Sequence, residues 1–327
     1  MNYPYRLLQA VEVRRRMNDL GKQSAPFFFI INYEANAGFV ICKDELTDDK
    51  IRFSFHEKIK HELAAPMIQW QVQPTSINSY AEKFNFVKQQ IQSGKINLIN
   101  LTQATKITTQ ASLEQIYESA HAPYKLWFND CFVIFSPETF IRICGDTIST
   151  FPMKGTIDAS IPDAERLLLE DEKEKAEHAA TVDLLCKDLS LVADDVQVKR
   201  FRYVEKITTM RHALLQVSSE VSGRLKADYK QSLGDLLFSL LPAGSICGLP
   251  KAEAIELIRE FEGYDRGFYT GVCGYFDGDN LDSAVMIRFV EQSEDGLVFK
   301  SGGGITAQSE LEKEYEELIQ KIYVPVS

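Results

Sequence analysis

Short runs of apolar residues, many of them β-branched or aromatic, punctuate the first half of this chain. PFFFIINY (residues 26–33), residues 38–42 and residues 51–55 predict short strands. Ser76 then precedes Tyr80, Phe84, Phe86, Val87 and Ile91, a spacing that predicts a helix capped by Ser76 and ending near Gly94. INLINLTQATKITT (96–109) alternates as a strand does, and residues 124–128, 131–135 and 140–150 predict further short strands joined by tight turns. The middle changes character. Residues 162–192 carry a long helical pattern with the charged start DEKEKAEH. Strands are expected at 196–205 and 213–224, helices near 231–241 and 251–262, and strands at 268–276, 282–292 and 297–301. A turn at Gly302-Gly303-Gly304 leads into a last helix, where Ser309 and Glu312 fit a capping box. Strands in runs with helices grouped between them point to an α+β fold with mainly antiparallel sheets. The three glycines lack the G-x-G-x-x-G pattern of a dinucleotide site.

Composition narrows this further. The 327 residues are 45% hydrophobic and 25% charged, ordinary for a globular protein with a sizeable core. A formal net charge of -11 disfavours nucleic acid and anionic membrane as partners. It also means that an anionic substrate needs a local metal or arginine to reverse the field. No secretory signal is expected, and no apolar run approaches the ~18 residues of a membrane span. The six cysteines form no zinc or Cys-x-x-Cys pattern, so reduced, mostly buried thiols and a cytoplasmic location are expected.

Candidate chemistry is modest when each residue is taken alone. Glu174 and Glu177 share a helix face, and Glu314 and Glu317 repeat the spacing. Two such faces meeting in a cleft would suit Mg²⁺, although a solvated acidic surface is the simpler reading of the spacing. Gly302, Gly303 and Gly304 could expose amides to an anion or simply supply turn torsions. Arg288, inside VMIRF, needs an acidic partner or a carboxylated ligand. Lys154 in FPMKGT reads locally as an exposed turn lysine, though a lysine amine can act as a nucleophile. Glu138 in FSPET is a loop glutamate that could serve as a general acid if partly buried. His178 and His212 read as structural histidines.

Taken together the segments resemble the chorismate-binding family, which includes anthranilate synthase component I, aminodeoxychorismate synthase component I, and the isochorismate and salicylate synthases. The stretches that carry the resemblance are DEKEKAEHAATVDLLCKDL, LPAGSICGLPKAEAIELIREFE, RGFYTGVCGYF, DSAVMIRF and SGGGITAQSELEKEYEELIQK. It implies one chorismate-binding domain over residues 1–327, with a catalytic core at 76–327, two large packed antiparallel sheets, helices outside and a cleft between the halves. It implies Glu177 and Glu317 as Mg²⁺ ligands, with Glu174 and Glu314 holding metal-bound water. Arg288, Tyr269, Thr156, His212 and the glycines 302–304 are then expected to hold the substrate.

Lys154 falls where aminodeoxychorismate synthases carry Pro-Ile-Lys-Gly-Thr and anthranilate synthases typically carry alanine. The resemblance therefore implies that the Lys154 amine adds at ring carbon 2 while the hydroxyl on carbon 4 leaves, protonated by Glu138. Ammonia then enters at carbon 4 and expels the lysine. Chorismate and ammonia are the implied substrates, with a separate glutamine amidotransferase as the ammonia source and folate synthesis as the setting. Anthranilate synthase and a non-catalytic chorismate-binding protein are the alternatives. Two departures from the family pattern, Cys186-Lys187 in DLLCKD and Cys247 in GSICG, fall near the expected site.

Overall fold

The computed structural model describes residues 3–56, 68–208 and 213–325. Within them two sheets form, one of ten strands and one of eight, and every recorded strand pairing is antiparallel. The first three strand predictions land on Phe27–Ile31, Ala37–Cys42 and Ile51–Phe55. They fall in different sheets: the first two join the ten-stranded sheet, and Ile51–Phe55 lies at one edge of the eight-stranded sheet.

Strand periodicity explains how the layers stack. In Phe27–Ile31, Phe28 and Ile30 face the other sheet and pack in one cluster with Tyr124, Leu126, Phe128 and Ile134. Phe27, Phe29 and Ile31 face the opposite way, into a cluster with Val13, Met17, Leu233 and Leu237 from two covering helices. All five residues of the strand are buried, so the strand reads as a continuous apolar run rather than an alternation. Each fully buried aromatic or aliphatic side chain contributes about 1.5–3 kcal/mol. A one-residue slip would exchange both faces at once, which pins the register. The eight-stranded sheet buries its outer face too, with Trp127, Val133, Phe135 and Phe299 under the helix Leu113–Ser119.

Several expectations need correction. The pattern over 162–192 makes two helices, Ala164–Glu170 and Glu172–Leu189, because Asp171 is extended and caps the second by accepting the Glu174 N–H at 3.0 Å. The run 282–292 is not one strand. It divides into Leu281–Val285 and Phe289–Ser293, which belong to different sheets. Arg288 is therefore not inside a strand but at the corner between them, with φ +52°. Gly302, Gly303 and Gly304 are not a turn. They lie within the strand Gly296–Thr306, opposite Thr102, Leu101 and Asn100. Ser309 caps no helix, because its hydroxyl instead accepts the Thr306 N–H at 3.1 Å, and the last helix runs Leu311–Gln320 from Glu310. Three of the six cysteines are buried and Cys144 is exposed, so the thiols are less uniformly interior than expected. Among the described residues no helix is long and apolar enough to cross a membrane.

Candidate active site

The site lies where the two sheets come together. Lys154 belongs to Met153–Asp158, the end strand of the ten-stranded sheet. Its neighbour strand pairs Ser218 with Met153 and Gln216 with Thr156, so Lys154 and Gly155 together oppose the single residue Val217. This is a β-bulge, a device that re-aims a side chain. Gly155 supplies the positive φ of +78° that it uses. The redirected lysine meets Glu177 at 3.6 Å, and its Nζ stands 3.4 Å from where a Cβ on Gly304 would lie. Gly304 belongs to the other sheet, so the lysine bridges the two layers. The side chain is 28% exposed, which rules out the solvent-facing turn that the local sequence suggested.

Four carboxylates reach this place from two helices. Glu174 and Glu177 lie in the first two turns of Glu172–Leu189, and Glu314 and Glu317 on Leu311–Gln320. Acidic residues near a helix N-terminus are favoured by the backbone dipole. A Cβ on Gly303 would stand 3.7 Å from Glu314 Oε2, 3.9 Å from Glu317 Oε1 and 3.6 Å from Lys321 Nζ. Glu174 Oε2 is 3.5 Å from the corresponding point on Gly155. The Thr306 hydroxyl lies 3.5 Å from Glu177 Oε1. Glycine at 303 thus leaves open a cradle edged by oxygen donors, the donor type that Mg²⁺ prefers. No three His, Cys, Asp or Glu side chains among the described residues form a ready metal cage. Mg²⁺ does not require one, since it commonly keeps water and takes oxygens from an anionic substrate. The four glutamates offer the oxygen donors that it takes, in two pairs: Glu174 and Glu177 beside the Lys154 strand, and Glu314 and Glu317 beside Gly303.

Positive charge converges on the same cradle. Lys321 pairs with Glu317 at 2.6 Å and donates to the Gly302 carbonyl at 2.8 Å. Burial pulls the Lys321 ammonium below its usual range, and the charges of Arg288 and Lys154 act the same way, whereas Glu317 opposes them. Arg288 donates to the Lys321 carbonyl at 3.3 Å and lies over the Tyr323 ring. Lys154, Arg288 and Lys321 thus place three cations together in a protein of net charge -11.

Glu138 stands behind the lysine, between the strands Phe132–Ser136 and Thr139–Cys144. Its N–H donates to the Ser136 hydroxyl at 3.1 Å, and the Ser245 hydroxyl donates to its carboxylate. Burial pushes its carboxyl above the usual carboxylate range, against the lowering effects of Ser245 and Lys154. Such a carboxyl holds its proton to higher pH, which suits a general acid. Tyr269 is buried at 2% exposure in a turn closed by its N–H to the Arg266 carbonyl. Desolvation raises its phenol, and the charge of Glu138 adds to that.

Beneath these groups sits a buried ion pair. Arg266 and Glu262 are each 1% exposed and 2.6 Å apart. Arg266 also donates to the carbonyls of Ile246 and Asn100, and Glu262 accepts the N–H and hydroxyl of Thr102. The pair joins the Ser245 loop, the Tyr269 turn and the strand opposite the glycines.

Not every expected residue comes to the cradle in the same way. Thr156 is exposed on the Lys154 strand, beyond the bulge. A Cβ on Gly302 would meet Thr102 Cγ2 at 2.7 Å, so that glycine is needed for strand packing. His212 lies outside the described residues. His178 is fully buried against Ser219, as a structural histidine would be. Of the departures, Cys186 packs against the core, Lys187 is exposed and paired with Asp183, and Cys247 is buried with its Sγ 3.3 Å from the Ala243 carbonyl. Two site residues escaped the sequence reading. Lys321 had a signal, since it lies four residues after Glu317 on one helix face. Ser245 had none beyond its place in GSICG.

Residues 40–327 match the chorismate binding enzymes. An uncharacterized PabA-like protein of Pasteurella multocida is 45% identical over 316 residues, covering 95% of this chain and 98% of that one. Anthranilate synthase component 1 of Archaeoglobus fulgidus is 36% identical, covering 72% of this chain and 58% of that protein. Aminodeoxychorismate synthase component 1 of Klebsiella aerogenes is 31% identical, covering 76% and 57%. The crystal structure of a putative 2,3-dihydroxybenzoate-specific isochorismate synthase from Bacillus anthracis superposes with a TM-score of 0.72 at 20% identity, over 97% of this chain and 90% of that one, a likeness of fold. With most of its length matched and its sheets and helices arranged alike, this chain belongs to the chorismate-binding enzyme family.

Proposed function

We propose that the protein is component I of an aminodeoxychorismate synthase, which converts chorismate and ammonia to 4-amino-4-deoxychorismate. The observation that carries this reading is the bulge that turns Lys154 into the cradle, 3.6 Å from Glu177 and close against Gly304. On the family resemblance an anthranilate synthase has no use for an amine there. Relatives of both names exist, so the side chain at 154 is the discriminator.

In this reading Lys321 and Arg288 hold the carboxylates of the dianionic substrate, with Tyr269 and the Gly303–Gly304 backbone shaping the pocket. Antiparallel strands send alternate residues' amides to opposite edges, and among the described residues no strand pairs with the outer edge of Gly302–Gly304. At least one amide there is directed outward, towards a bound anion. Lys154, once it has given up a proton, attacks ring carbon 2. Both conjugated ring double bonds shift, from 1,2 and 5,6 to 1,6 and 4,5, and the bond from carbon 4 to its hydroxyl breaks. Glu138 supplies a proton, so water leaves. Ammonia then bonds to carbon 4, the bond from carbon 2 to nitrogen breaks, and Lys154 is released. Glu177 and Glu317 would hold Mg²⁺, with Glu174 and Glu314 on its bound water, and bound there it would supply a Lewis acid for the ring carboxylate. Free ammonia is scarce at neutral pH, which motivates a separate glutamine amidotransferase as its source.

Intact-mass measurement after mixing protein, chorismate and Mg²⁺ without ammonia tests the covalent step. The expected adduct is chorismate less one water, absent in Lys154→Ala. An adduct of equal yield in the variant would place the nucleophile elsewhere.

A further inference from the structure

The acidic helix has an unusual anchor. In its first two turns Glu172, Lys175 and Ala176 are exposed and Glu174 and Glu177 half-buried. His178 is the fully buried side chain there, and the next is Val182, one turn on. Among the described residues, this half of the helix thus fully buries one side chain, His178, which makes a polar contact to the sheet and sets its ring edge-on to Phe201.

That contact leads back to the lysine. His178 Nε2 and Ser219 Oγ share a hydrogen bond of 2.6 Å. Ser219 belongs to Ala213–Arg224, the strand against which the Lys154 bulge is built. The Ser219 N–H donates to the Pro152 carbonyl at 2.9 Å, two residues before Lys154. The same hydroxyl accepts the N–H of Arg202 at 2.9 Å, in a strand whose register shifts between Arg200 and Tyr203. Ser219 is wholly buried, so both contacts are shielded from water. A short continuous path results: Glu177, its neighbour His178, Ser219, Pro152, Lys154. Its two ends are the groups 3.6 Å apart in the cradle.

We propose that His178 is a positioning residue: through Ser219 it fixes the acidic helix against the Lys154 strand and so sets the Glu177–Lys154 geometry. The inference rests on the reading of Lys154 as the reacting group. Among the described residues of the acidic half of the helix, no other side chain is fully buried to hold its place. A misplacement of about 1 Å lowers a rate by about 100-fold.

Three variants test it: His178→Leu, which fills the space without a hydrogen bond, His178→Gln, which keeps a polar nitrogen near the Nε2 position, and His178→Leu with Ser219→Ala. The expected result is a loss of about 100-fold in kcat for His178→Leu and recovery to within about tenfold of the parent for His178→Gln. The double variant should be no slower than the slower of its two single variants. A second readout needs no turnover. Trinitrobenzenesulfonate labelling of Lys154, followed by peptide mass spectrometry, should quicken in His178→Leu and stay near the parent rate in His178→Gln. The strut is overturned if Gln rescues neither readout, if the double variant's losses multiply, or if Lys154 in His178→Leu labels at the parent rate. A parent protein that makes no aminodeoxychorismate would sink the functional reading alone, because the labelling comparison still decides the strut.

Discussion

Gly155→Ala separates the geometry of the lysine from the stability of the fold. Gly155 has φ +78°, and an alanine held there costs about 1–2 kcal/mol. The lost backbone freedom of the unfolded chain returns about 0.4–1 kcal/mol. The new Cβ would meet Leu168 Cδ1 at 3.1 Å and Glu174 Oε2 at 3.5 Å, both ends of flexible side chains. The net cost is therefore about 1 kcal/mol. At about 2.1 cal/mol/K per residue, unfolding entropy over 327 residues makes that a fall in Tm of only about 1–2 °C. Activity should suffer far more. If the strand relieves its strain by flattening the bulge, Lys154 leaves its line towards Glu177, and about 1 Å of displacement removes about 100-fold in kcat. Calorimetry alongside a product assay with chorismate, Mg²⁺ and ammonium reads both numbers. A variant with near-parent kcat would refute the claim that the bulge aims the lysine. A Tm drop large enough to account for the activity loss would do the same.

Three further outcomes follow from the same geometry. Because burial raises the Glu138 carboxyl, activity that needs its proton should persist above the ordinary carboxylate range and fall as pH rises through the raised value. The buried charge formed there costs stability, so Glu138→Gln should lose turnover yet melt higher than the parent at alkaline pH, as calorimetry across pH would show. Arg266→Met leaves the Glu262 carboxylate buried without its partner, and denaturant titration should read a loss of about 3–5 kcal/mol. Lys321→Ala removes one charged hydrogen-bond donor at the cradle and should raise the chorismate KM about tenfold or more, since such a bond contributes about 1.5–3 kcal/mol; an unchanged KM would exclude it from substrate binding.

Much of this was legible in the residues, for local physical reasons. Phe27–Ile31, Ala37–Cys42 and Ile51–Phe55 have strand-forming side chains and clear boundaries, and Ser76 caps its helix by accepting the Ser79 N–H at 3.2 Å. Failures came where long-range pairing outweighs local signal. Three consecutive glycines look like a turn, yet ten paired residues with Leu98–Thr109 hold them extended. The run through Arg288 looks continuous, but the chain changes sheets there. The site was legible only as motifs. Spacing put Glu174 with Glu177 and Glu314 with Glu317, but nothing local could show that both pairs lie along the strand of the glycines. Lys154 depends on a bulge set by its neighbour strand, a partner that lies some sixty residues later in the chain.

In the proposed function Lys154 commits this chorismate-binding enzyme to amination at carbon 4. Mass-spectrometric identification of the product formed from chorismate, Mg²⁺ and ammonium tests it most directly, with the parent protein and Lys154→Ala side by side. The expected products are 4-amino-4-deoxychorismate from the parent, without anthranilate or pyruvate, and no aminodeoxychorismate from the variant. Anthranilate as the main product, or undiminished amination by Lys154→Ala, would contradict it.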